Sequence, residues 1–181
     1  MMAAILSVHT GKVAPLGPDG EPSGFVKQRR DGAVAVGALG LDGDAQADLS
    51  VHGGPEKAVY AYAADHPQHA ALFAPGVMGE NLAIAGMTEA DVCVGDIHRI
   101  GSVLLQACQP RQPCFKLGLR FDDAMMVKAM VKATEILKVM VKVVLNFLMK
   151  KKNVFVKKSS KQLSMRQVVL KQVNFPWVLN D

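Results

Sequence analysis

The chain has 181 residues, half of them hydrophobic and a fifth charged, which indicates one globular domain with a short appendage and excludes a disordered chain. Its net charge of +5 is unevenly spread: residues 1–120 hold nine Lys/Arg against twelve Asp/Glu, and residues 121–181 hold twelve against four. Three cysteines cannot build a disulfide framework, so free thiols and a cytoplasmic location are expected.

In chain order, residues 3–8 read as a first strand. The opening MMAAILSVHTGK has neither a basic start nor a long apolar run, so no leader peptide is expected. Residues 11–24 form a loop rich in Gly and Pro. Short strands are expected at 25–27 and 33–39, around a turn at 30–32. Residues 40–54 are a Gly/Asp-rich connection carrying Asp42, Asp44, Asp48 and His52. Residues 58–64 fit strand or helix, and 65–74 a short helix. Residues 82–84, 92–94, 97–100 and 102–108 read as strands separated by turn residues. Many short strands with frequent turns predict a mainly β (α+β) fold, a barrel or a sandwich.

The last third differs. All sixteen glycines lie at or before Gly118, although average usage would put about four in the last 61 residues. Asp122 fits a helix N-cap, and Lys128, Lys132, Glu135, Lys138 and Lys142 share one stripe, so 123–145 reads as an amphipathic helix. A solvated basic face accounts for the stripe; a membrane or partner surface is the alternative. The apolar run 139–149 is broken by Lys142 and too short to cross a bilayer, so no membrane span is expected. The tail is a basic helical appendage, a frameshifted or fused segment, or a stretch whose written residues do not match its backbone.

Three segments combine reactive and turn residues. In DLSVHGGPEK, Gly53 and Gly54 let a backbone approach a ligand and can aim amides at an anion, with His52 beside them. It is neither a Walker A loop nor a dinucleotide fingerprint. In MGENL, Glu80 and Asn81 stand between a turn and an apolar strand, where capping is the plainest role. In QPRQPCFK, two prolines fix an extended backbone around Arg111 and Cys114, and Arg111 and Lys116 would favour a thiolate at Cys114. Cys93 and Cys108 lie in apolar runs and read as core. No C-x-x-C occurs, which argues against a structural zinc or an iron–sulfur cluster. His66 and His69 read as an exposed helix start, and His9 and His98 carry no supporting context.

Together, GLDGDAQADLSVHGGPEKAVYAY, GENL, DVCVGD and QPRQPCFKL resemble the MOSC domain, the domain related to the C-terminal part of molybdenum-cofactor sulfurases, nearest to its short bacterial YiiM-like members. The resemblance covers roughly residues 5–134. It implies a barrel-like β fold over residues 1–160 with flanking helices, and a C-terminal helical stub over 161–181 that would begin a small three-helix domain. It implies a molybdenum cofactor (molybdopterin) with Cys114 as the metal ligand, and His52 and Asn81 beside it. The pterin phosphate would meet Lys27 or Arg29 and Arg111, with Gly53, Gly54 and Lys116 contributing. It implies reduction of small N-hydroxylated substrates, such as hydroxylaminopurines and hydroxylamines, with electrons from a separate redox donor. His52 would give a proton and Asn81 would position the substrate or oxo group.

After Lys132 the family's Gly- and aromatic-containing strand and turn are missing, and the backbone beyond about 134 is then as compatible with strand as with helix. Two other readings are open. The chain could be a cofactor carrier or persulfide sulfur-transfer module using Cys114. It could also be a nucleic-acid module carried by the basic tail, which is disfavoured because only Phe147, Phe155, Phe175 and Trp177 accompany the lysines.

Overall fold

The computed structural model describes residues 3–50, 53–54, 57–63, 74–88, 91–109, 111, 113–128, 143–147 and 167–172. Among them the chain is mainly strand with short helical pieces, an α+β arrangement.

Alternation of buried and open positions explains the main sheet. Strand β1 (Ala4–Thr10) buries Ile5 and Val8, and β10 (Val103–Ala107) alternates buried Val103, Leu105 and Ala107 with half-buried Leu104 and Gln106. These pack with Leu82 and Ile84 of β8 (Leu82–Ala85), Ile100 of β9 (Ile97–Ile100) and Ala61 of β7 (Tyr60–Ala63). The sheet has eight strands in the order β12-β9-β10-β11-β7-β8-β1-β4, where β4 is Gln28–Arg30, β11 is Val143–Phe147 and β12 is Gln167–Gln172. β12 runs parallel to β9, and also pairs over Lys171 and Gln172 with Ala4 and Ile5 of β1. Two small hairpins, β2 (Ala14–Leu16) with β3 (Glu21–Ser23) and β5 (Val36–Gly37) with β6 (Gly40–Leu41), lie outside it.

β7 serves two cores. Ala61 faces the first, while Tyr60 and Tyr62 join Leu16, Phe25, Met78 and Leu117 in a second. Leu117 belongs to α1 (Lys116–Phe121), so the helix closes this second cluster.

Several expectations are corrected. The helical stub fails at 167–172, which is strand: the β-branched Val168-Val169 pair favours extended backbone, and β9 and β1 supply its hydrogen bonds. The helix over 123–145 is helical at 126–128 and is strand β11 at 143–147, between β10 and β7; residues 129–142 lie outside the described set. Asp122 is not an N-cap but the left-handed C-cap of α1, with φ 51°; it is Asp123 whose Oδ1 accepts the Met125 N–H at 2.8 Å. The strand expected at 25–27 lies at β4, and that at 33–39 shrinks to β5. Residues 92–94 enter a turn in which the Cys93 N–H donates to Asp96 Oδ2 at 2.8 Å. Cys93 is therefore exposed rather than core, and Cys108 is half-buried. The helix expected at 65–74 falls almost wholly outside the described residues, as do His66 and His69.

Candidate functional site

Three chain segments without regular structure meet beside the second core. Asp44 joins them. Its Oδ1 accepts the Gly11 N–H at 2.9 Å and the Lys27 ammonium at 2.5 Å, and its Oδ2 accepts from Asn81 Nδ2 at 2.9 Å. The Lys27 and Asp44 side chains are 6% and 7% exposed, so this is a buried ion pair with its spare lone pairs used. Burial presses Lys27 toward its neutral form, and Asp44 pulls the other way. Asn81, just before β8, also donates from Nδ2 to the His9 carbonyl at 3.1 Å and accepts the Tyr60 N–H on Oδ1 at 3.0 Å. Both of its amide protons are spent inside the protein.

Arg111 lies over two rings, 4.5 Å from the Tyr60 centroid and 5.3 Å from that of Phe25. Glu80, in the segment before β8, is 1% exposed, with Oε1 accepting the Gly76 N–H at 2.5 Å. Burial raises the Glu80 pKa; the Gly76, Glu80 and Met78 amides and Arg111 oppose the rise. Burial also raises the Tyr60 phenol. The His9 ring lies against Gly76, and its pKa is lowered by burial and then by the charges of Arg29 and Lys27. The cluster thus gathers two cations, one committed carboxylate and one carboxyl group biased toward neutrality.

The sequence pattern of the MOSC domain matches residues 48–155. The chain belongs to the MOSC domain family. It is 43% identical over 125 residues to protein YiiM of Escherichia coli strain K12, covering 65% of this chain and 55% of YiiM. It is 41% identical over 127 residues to a protein named reductase from Gibberella moniliformis, covering 65% of this chain and 22% of that one. The crystal structure of YiiM from Geobacillus stearothermophilus superposes with a TM-score of 0.61 at 30% identity, covering 81% of this chain and 68% of that chain. The chain thus spans little more than half the length of the E. coli relative.

The MOSC motif residues fall as follows. His52 lies outside the described residues. Cys114 is half-buried in the loop leading into α1, three residues before the buried Leu117. Arg111 and Lys27 share the cluster; the Arg29 side chain is 62% exposed and 3.8 Å from Asp31, while its backbone pairs across the strands with His9, whose pKa its charge helps to lower. Lys116 turns toward β3, with Nζ donating to the Pro22 carbonyl and 3.2 Å from Glu21 Oε1, so its charge is used there. The Gly54 N–H is taken by Gln46 Oε1 at 2.7 Å, so it is not free to meet an anion; a Cβ on Gly53 would lie 2.5 Å from the same oxygen. Sequence reasoning missed Asp44, Tyr60 and His9, and gave Glu80 only a capping role.

Among the described residues no group of three or more His, Cys, Asp or Glu is placed to hold a metal ion. A metal here would draw most of its ligands from its own cofactor, and Cys114 is the half-open soft donor that suits molybdenum. No helix among the described residues is long and apolar enough to cross a membrane.

Proposed function

We propose that this protein binds molybdenum cofactor and reduces N-hydroxylated compounds of the hydroxylaminopurine or hydroxylamine type, with electrons from a separate redox donor. The observation that carries this is the joining of Cys114 and Arg111 in one loop. The helix after that loop packs Leu117 onto the same Phe25–Tyr60 cluster over which Arg111 lies. MOSC membership and the relative named reductase support the activity. The pairing of β12 with β1 supports reading the sheet as the family's barrel.

Cys114 would be the protein ligand to molybdenum, and Arg111 and Lys27 would meet the pterin phosphate, with Arg29 adding its field. Bound there, the cofactor would supply two electrons and accept the oxygen. The overall change, R–NHOH with two electrons and two protons giving R–NH2 and water, needs proton donors from the chain. His52 is the candidate donor. Asn81 acts as a positioning residue: it holds Asp44, and through it Lys27, in place.

The test is Cys114→Ser against wild type, with molybdenum content by elemental analysis and turnover of a hydroxylaminopurine with a chemical reductant. Loss of a single outer-shell partner already costs about 10–100-fold in a metal site, so loss of the ligand is expected to cost about 100-fold or more in both readouts. Full activity in Cys114→Ser would overturn the assignment. Cyanide-labile sulfur on Cys114 without metal would instead establish the sulfur-transfer reading.

A further inference from the structure

Away from the Asp44 cluster, one histidine is sealed in the first core. His98 shares the buried face of β9 with Ile100, while Arg99 between them is exposed, and it stands opposite the core residue Leu105 of β10. It is 1% exposed, and neither Nδ1 nor Nε2 has a hydrogen-bond partner among the described residues. A neutral imidazole there leaves hydrogen bonds unmade; an imidazolium would set a charge with two bare N–H donors among apolar side chains, at far greater cost. The surrounding strands offer that charge little. β8, β10 and β11 carry no ionisable residue, and Tyr60 and Tyr62 of β7 belong to the second core. β1 carries His9, next to Gly76, and β12 carries Lys171, paired with Ala4 rather than with His98. Asp96, in the turn before β9, favours a proton on His98, but its Oδ2 already accepts the Cys93 N–H, and burial is the larger influence.

The two strands that flank His98 are held unequally. β10 follows β9 across Gly101 and Ser102 as an antiparallel hairpin, a local pairing. β12 pairs in parallel, and Val168, opposite His98, lies 70 residues further along the chain. A long-range parallel pairing closes at the greater entropic cost and is slightly weaker per residue, so β12 is the neighbour that yields. We propose that His98 is an acid-sensitive latch, able to take up a proton only when β12 leaves β9, so that acidification opens this seam while β9 and β10 stay paired. The departing strand also gives up Ala4 and Ile5 of β1. Burial holds His98 below the ordinary histidine value in the closed form, whereas the open form titrates near about 6.5. The closed seam is therefore fully favoured above about pH 6.5, and below it loses up to about tenfold in its equilibrium per pH unit. This inference does not depend on the cofactor reading.

Hydrogen exchange of the full chain, read by mass spectrometry at about pH 7.5 and about pH 5.5 and corrected for the intrinsic pH dependence of exchange, reports on the seam. In wild type the protection of the amides of residues 167–170 is expected to fall about tenfold at the lower pH, while that of β10 is kept. His98→Phe retains a buried ring that cannot titrate, and is expected to protect residues 167–170 equally at both pH values. A fall that survives in His98→Phe belongs to His9 or another group and overturns the proposal. A fall shared equally by β10 is global unfolding and overturns the latch, as does protection that stays constant in wild type. Should His98→Phe fail to fold, nuclear magnetic resonance of wild type with labelled histidine decides. A His98 ring that stays neutral while β12 is protected supports the latch; one that titrates near its ordinary value with β12 still protected overturns it.

Discussion

Asp44 shows how much of the site depends on a single carboxylate in a segment without regular structure. It satisfies Gly11 at the end of β1, Lys27 before β4 and Asn81 before β8, which fixes three chain segments at one point. Asp44→Ala would strand a buried ammonium and leave two N–H groups short of an acceptor. We expect a loss of about 3–5 kcal/mol, read from the midpoint of urea unfolding; a change below about 1 kcal/mol would remove Asp44 from this role. Little of this was legible in the sequence. The partners of Asp44 lie 33, 17 and 37 residues away, and pairing over such separations leaves no local pattern. Arg111 and Asn81, which meet other segments here, drew attention because they stand within short motifs. The engagement of Asn81 by His9 and Tyr60 could not.

At the scale of elements, β10 was readable because five residues alternate cleanly between buried and half-buried. The strand character of β7 was ambiguous, since Tyr60 and Ala61 go to different cores and both are buried. Helix α1 was missed because its start carries no signal: Phe115 gives no side-chain cap, and no acidic residue occupies the first turn. Its end was misread because Asp suits both a helix N-cap and a left-handed C-cap, and the sequence does not say which side the helix lies on. That conformation at Asp122 suits Gly better than Asp, although Asp tolerates it more readily than most residues with a Cβ. Asp122→Gly is accordingly expected to stabilise the protein by about 0.5–1 kcal/mol, seen as a rise in Tm; a fall would mean that the aspartate side chain itself holds the turn.

At the scale of the molecule, the two halves that differ so sharply in composition share one sheet. β11 bridges β10 and β7, and β12 bridges β9 and β1, so residues from the glycine-free third complete pairings begun by the first 107. Composition could not reveal this, because lysine-rich strands and lysine-rich helices have the same net charge. A chain ending at residue 160 would leave backbone edges on β9 and β1 unpaired. We expect a lower Tm and concentration-dependent self-association by light scattering; an unchanged monomer would show that β12 is dispensable.

The partners of β1 also set an order of events in synthesis. Ala4 leaves the ribosome 81 residues ahead of Ala85 and 167 ahead of Lys171, yet it pairs with both. β1 must wait for those 81 residues to gain one neighbour and for 167 to gain the other. Such distant pairings close late and slowly, and until then β1 stands as an exposed hydrophobic strand. Chaperone capture of β1 during synthesis is the vulnerability that this arrangement creates.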